Sequence, residues 1–119
     1  MASARRKRSG RSAPRAVLIL AAYPRRPAAE RAAKLLVRER VLACATVAPG
    51  ARAFYTWQGR EQAHGSTLLY GKTTAARAED AVRRIRATHP DEVPEILVLE
   101  IAGGNPEYLA WVAVEVGRK

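Results

Sequence analysis

Few side chains in this sequence could carry chemistry: it has one cysteine and two histidines in 119 residues. Cys44 stands in the run Leu42-Ala43-Cys44-Ala45. As a thiolate it would be a soft ligand suited to copper, but its apolar neighbours predict a small, buried, inert thiol. His89 precedes Pro90, where a helix should end. An imidazole at such a turn is expected to be accessible, which makes His89 the metal candidate; a helix-end role without metal stands beside that reading. His64 lies in a polar stretch and is expected to be solvated. A single cysteine leaves no internal disulfide, and no CxxC or Cys/His cluster has zinc spacing. There is no nucleophile–base pair, glycine-rich phosphate loop or paired-carboxylate arrangement. The expectation is a binding protein rather than an enzyme, with no organic cofactor.

Size and charge narrow the field further. The length fits one domain with a single core, and 48% hydrophobic with 27% charged residues is ordinary for a globular chain. The net charge of +10 is concentrated at the start, where Arg5, Arg6, Lys7, Arg8, Arg11 and Arg15 precede any acid. Without them 15 basic residues face 11 acidic ones, so the domain itself is only mildly basic. Residues 1–15 read as a disordered basic tail able to make weak, salt-dependent nucleic-acid contacts, ahead of a folded domain over 16–119. The basic cluster followed by Ala16–Tyr23 imitates an export signal. That apolar run is short, meets Pro24-Arg25-Arg26-Pro27 at once, and reads better as a central strand. No run approaches the roughly 20 apolar residues of a membrane span. A cytoplasmic location is expected.

The elements that must position these residues follow from periodicity. Ala16–Ala22 is continuously apolar, as expected of a strand covered on both faces or lying centrally. Pro24 and Pro27 then open a helix to about Arg40, with Ala28, Ala32, Leu35 and Leu36 at helical spacing. Leu42–Gly59 is one kinked strand or two collinear ones. Pro49-Gly50 marks the bend, and Phe54-Tyr55-Thr56-Trp57 is an aromatic, β-prone end. A polar connection through His64-Gly65 leads to a second strand over Ser66–Thr73, pairing as a hairpin. Thr73 or Thr74 should cap a helix carrying Ala78, Ala81, Val82 and Ile85, whose four arginines read as a solvated face. Ile96–Ile101 is the last strand. Asn105-Pro106-Glu107 starts a final helix whose apolar face is Tyr108, Leu109, Trp111, Val112 and Val116. The first six elements match the βαββαβ repeat of an α+β, ferredoxin-like sandwich, with one C-terminal helix added.

Five motifs, in order and at fitting spacings, then point to a family. They are Leu42-Ala43-Cys44-Ala45 with Pro49-Gly50; Tyr55-x-Trp57-x-Gly59; Lys72-Thr73; His89-Pro90-x-x-Val93-Pro94-Glu95; and Gly104-Asn105-x-x-Tyr108-x-x-Trp111. From about Ala16 to Val116 the chain resembles the CutA divalent-cation-tolerance proteins. The resemblance implies a homotrimer whose long hairpins reach across subunit boundaries, which would relieve an aromatic strand of its open edge. It also implies a link to divalent metal, copper first. In some members copper ligation is attributed to adjacent histidines plus a first-strand cysteine. Here the matching positions are Thr88 and Ala21, so only His89 remains. Asp91-Glu92 stand where many members have an aromatic after His-Pro, and Ala63, Gly65 and Ser66 where members often carry carboxylates.

On that resemblance Tyr55, Trp57, Lys72, Glu95, Tyr108 and Trp111 surround an intersubunit cleft. They serve either trimer packing, where aromatics dominate the energetics, or a small-ligand pocket anchored by Lys72 and Glu95. The expected function is divalent-cation tolerance by a trimer that binds or senses metal. The alternative is a trimeric small-molecule sensor, by fold-level analogy with the PII regulators.

Overall fold

Side chains alternate along a strand, and in Ala16–Tyr23 (β1) Val17, Ile19, Ala21 and Tyr23 are buried while the intervening residues are half-buried. The computed structural model describes residues 14–117. Its remaining elements are α1 (Arg26–Arg38), β2 (Cys44–Trp57), β3 (Arg60–Thr74), α2 (Ala75–Thr88), β4 (Ile96–Glu100) and α3 (Pro106–Gly117). They form a four-stranded antiparallel sheet of order β2-β3-β1-β4, the predicted α+β architecture. β1 is central, as its composition requires, with α1 and α2 on one face and only α3 over the end of the other. On the first face the buried residues of β1 pack with Ala29, Ala32, Ala33 and Leu36 of α1 and with Ala81 and Ile85 of α2.

The helix ends are set locally. Arg40 takes a left-handed φ of 61° just past α1. The N–H groups of Arg40 and Val41 return to the carbonyls of Val37 (3.0 Å) and Leu36 (2.9 Å), a Schellman closure that stops the helix at Arg38 rather than Arg40. Thr74 holds the N-cap position of α2 without a side-chain cap. Instead Ala75 N–H donates to the Arg15 carbonyl (2.8 Å), and Thr73 Oγ1 donates to the Val41 carbonyl (2.7 Å). Asn105 Oδ1 does cap α3, accepting from Glu107 N–H at 3.1 Å. The α2 arginines are not simply solvated. Arg77 Nε donates to the Val116 carbonyl (2.8 Å), Arg83 pairs with Asp80, and Arg84 pairs with Glu39 of α1. Residues 1–13 of the expected tail lie outside the described residues; Arg15 belongs to the fold, facing Glu100 at 3.5 Å.

The hairpin differs most from expectation. The polar stretch expected as a connection is strand: β3 starts at Arg60, and Arg60–Ser66 pair with Trp57–Ala51. The turn is only Gln58-Gly59, with φ of 53° and 78°, the double positive φ that a two-residue hairpin needs. β3 meets β1 only through Thr67–Thr74. The outer half of the hairpin is therefore a two-stranded ribbon without a third strand. At about 3.3 Å per residue β2 is about 45 Å long, which accounts for a molecule of 50 × 31 × 22 Å.

One irregularity decides which side chains share a face. Between the pairs Ala48↔Leu68 and Ala51↔Ser66, β2 advances three residues while β3 advances two. Gly50, at φ 91°, supplies the bulge. Simple alternation would put Tyr55 and Trp57 on the opposite face from Cys44. The bulge returns them to Cys44's face, which they share with Lys72, Tyr70 and His64. Gly50→Ala places a side chain in left-handed backbone and is expected to cost about 1–2 kcal/mol. Gly65→Ala, at ordinary φ with nothing within 4 Å, is the control and should shift the urea midpoint far less; equal shifts would mean that the bulge conformation is not what Gly50 provides.

Candidate functional site

The face of the sheet away from α1 and α2 is apolar and incompletely covered. It carries Leu18 and Leu20 of β1, Leu68 and Tyr70 of β3, and Leu97 and Leu99 of β4, the last two 48% and 43% exposed. α3 covers only its lower end. There Val112 and Val116 pack with Ala43, and Glu115 pairs with Arg40 at 2.9 Å.

The structure splits the predicted cleft residues into two groups. At the base the Tyr108 phenol lies beside the Cys44 thiol, and its ring stands 5.6 Å from that of Trp111. Burial, then the neighbouring Cys44 thiol, pushes the Tyr108 phenol above its ordinary range. Lys72, cross-strand from Cys44, donates to Thr46 Oγ1 (2.9 Å) and the Tyr70 carbonyl (3.2 Å). Cys44 is half-buried rather than buried, on the sheet face that α3 covers only in part. At the outer end Tyr55, Trp57 and Glu95 line a cavity of about 480 Å³ between the ribbon and the 91–95 loop. His64 joins them, its Nε2 against the Tyr55 hydroxyl. Lys72 and Glu95 do not meet in one pocket within a protomer.

His89 is not the open ligand that its sequence context suggests. It is 9% exposed, and its ring stacks on Tyr23 with centroids 4.4 Å apart. Nε2 contacts the Ala22 carbonyl at 2.7 Å, and Nδ1 accepts the Asp91 N–H at 3.0 Å. A carbonyl only accepts, so Nε2 carries the proton and Nδ1 the lone pair, which the Asp91 amide already occupies. Both nitrogens tie the α2–β4 loop to the end of β1. Among the described residues no three His, Cys, Asp or Glu side chains lie close enough together to hold a metal ion. The residues present in one protomer do not fit a copper centre at His89. The missing signal was Tyr23: nothing in its sequence context announces an aromatic lid for the imidazole.

Tyr23 is 2% exposed, and its hydroxyl has no hydrogen-bond partner. Burial pushes its phenol from 10.0 up to about 12. The fold thus favours the protonated form, and the resulting stabilisation is complete below pH 10 and lost as pH rises towards 12. Tyr23→Phe should remove that alkaline loss. At pH 7 it should leave stability unchanged or higher by about 1–2 kcal/mol, since an unpaired buried hydroxyl disappears. Urea unfolding at pH 7 and pH 11 reads both; a large loss at pH 7 would mean that the hydroxyl has a partner.

The comparisons with known proteins follow the same outline. Residues 17–115 match the family model described as CutA1 divalent ion tolerance protein. The divalent-cation tolerance protein CutA of Thermus thermophilus is 40% identical over 100 residues, covering 84% of this chain and 97% of that protein. The CutA crystal structure from Xylella fastidiosa matches with a TM-score of 0.82 at 38% identity, covering 85% of this chain and 97% of that one. The cytoplasmic expectation is overturned as a property of such proteins. An Arabidopsis thaliana relative, 32% identical over 92% of this chain and 60% of its own length, is named chloroplastic. A structure from Archaeoglobus fulgidus (27% identity, TM-score 0.81, 85% of this chain and 98% of that one) is described as periplasmic. No described helix is long and apolar enough to cross a membrane. With the family model spanning nearly the whole folded part and the relatives agreeing in sequence and fold, this chain belongs to the CutA1 divalent ion tolerance family.

Proposed function

We propose that this protein acts in divalent-cation tolerance as a homotrimer that senses its signal at the seams between subunits. Its role is binding, not catalysis. The observation that carries this reading is the ribbon of Ala51–Trp57 and Arg60–Ser66. It projects past the sheet with Phe54 73%, Trp57 51% and Tyr55 43% exposed. A two-stranded ribbon is marginal alone, and aromatic edges of this kind invite pairing. The sheet offers two free edges, β2 and the short β4, and an uncovered leucine face between them. Edge-to-edge contact between different strands is heterologous, and it closes into a ring where the rotation between copies is a whole fraction of a turn. The resemblance to CutA proteins supports three as the number of copies.

Where metal enters this reading, copper included, it does so through groups that assembly brings together, not through His89 of one protomer. The small-molecule alternative has its own support in the cavity beside the ribbon, which is of ligand size.

Light scattering on the purified protein should return three times the 13.0 kDa chain mass; a monomer at micromolar concentration overturns the assembly. His89→Ala should cost about 2–4 kcal/mol in stability through lost packing and hydrogen bonds, while leaving copper affinity of the trimer unchanged. A selective loss of copper binding in a well-folded variant would restore His89 as a ligand.

A further inference from the structure

The cavity between the ribbon and the 91–95 loop has an electrostatic character at odds with the chain around it. The protein carries 21 lysines and arginines, yet none lines this cavity, whereas Asp91, Glu92 and Glu95 all do. None of these three carboxylates is in an ion pair among the described residues. They are too dispersed to close, with one another or with His64, on a single metal ion. Trp57 and Tyr55 supply aromatic wall. The backbone turn at Ala22, Tyr23 and Pro24 closes the cavity's base. Excess negative charge and aromatic faces are what an organic ammonium needs: Coulomb attraction, carboxylate oxygens to accept from its N–H groups, and cation–π contact.

We propose that this cavity binds an organic cation with two or more ammonium groups on a flexible aliphatic chain, a diamine or polyamine. Separated carboxylates match separated charges, and the methylenes between them lie against Trp57 and Tyr55. About 480 Å³ accommodates such a chain and far exceeds a bare ion. The same observations disfavour phosphates, carboxylates and nucleotides, which would meet three like charges with no cation to offset them. The inference rests on reading the seam as the sensing site, since the ribbon forms one wall of the cavity.

The test is calorimetric titration of the full-length protein with spermidine and 1,4-diaminobutane at low salt, with oligomeric state measured on the same samples. Saturable binding is expected, weakening as salt rises. Asp91→Asn/Glu92→Gln/Glu95→Gln should weaken it by about tenfold or more, and Trp57→Ala by a smaller factor. Succinate and 1,4-butanediol should not bind. Absence of saturable amine binding to an intact trimer overturns the inference and leaves the assembly standing. Amine binding by a monomer does the reverse. Unchanged affinity in the triple carboxamide variant, or displacement of the amine by equimolar magnesium, also overturns it.

Discussion

The structure depends on one imbalance: the hairpin is longer than the sheet that supports it. β1 offers pairing to β3 only over Thr67–Thr74, so half of a 14-residue strand and its partner run on with no third strand and no helix beneath them. Hydrogen bonds within the ribbon satisfy only the inward backbone groups, and the outward ones stand beside Phe54, Tyr55 and Trp57. Water can solvate those outward groups but not the aromatic rings. Arg52 over the Phe54 ring at 5.9 Å is a modest intramolecular contact against that exposure. In the proposed trimer, burial of the ribbon by other copies resolves the imbalance and accounts for the open leucine face beside it.

The Gly50 bulge makes that solution coherent. By inserting one residue it keeps the aromatic pair Tyr55 and Trp57 on the same face as the leucines, instead of turning them to the helix side. The face shared by the leucines and the aromatic pair thus runs from β4 to the hairpin tip. At the near end of the ribbon the 91–95 loop is held in place by His89, whose two ring nitrogens span the Ala22 carbonyl and the Asp91 amide. An imidazole that could have been a ligand is used here to position carboxylates. This is why the chemical interest moves from the histidine to the acids beside it.

Much of this was legible in the sequence. Element order, the central β1, the Asn105 cap and the Pro49-Gly50 bend follow from local rules about φ, donors and alternation. The extent of β3 was not, because Arg60–Gly65 is polar on both faces, as an exposed ribbon must be, and polarity without alternation looks like a loop. Cys44 appeared buried because its neighbours Leu42 and Ala43 are, although it enters the strand on the open face. His89 appeared accessible because proximity to Pro90 fixes the backbone but says nothing about Tyr23, 66 positions earlier, stacking on the ring. The β3 miss is one of local pattern, whereas the His89 miss lies in a contact across the fold.

Amide hydrogen exchange on the ribbon and on β4 addresses the imbalance directly. The account predicts that amides of Ala51–Trp57 and Ile96–Glu100 pointing away from β3 and β1 are protected at micromolar concentration and lose that protection on dilution. Exchange at those amides as fast as in an unstructured peptide, at every concentration, would show the ribbon standing alone and would contradict the account.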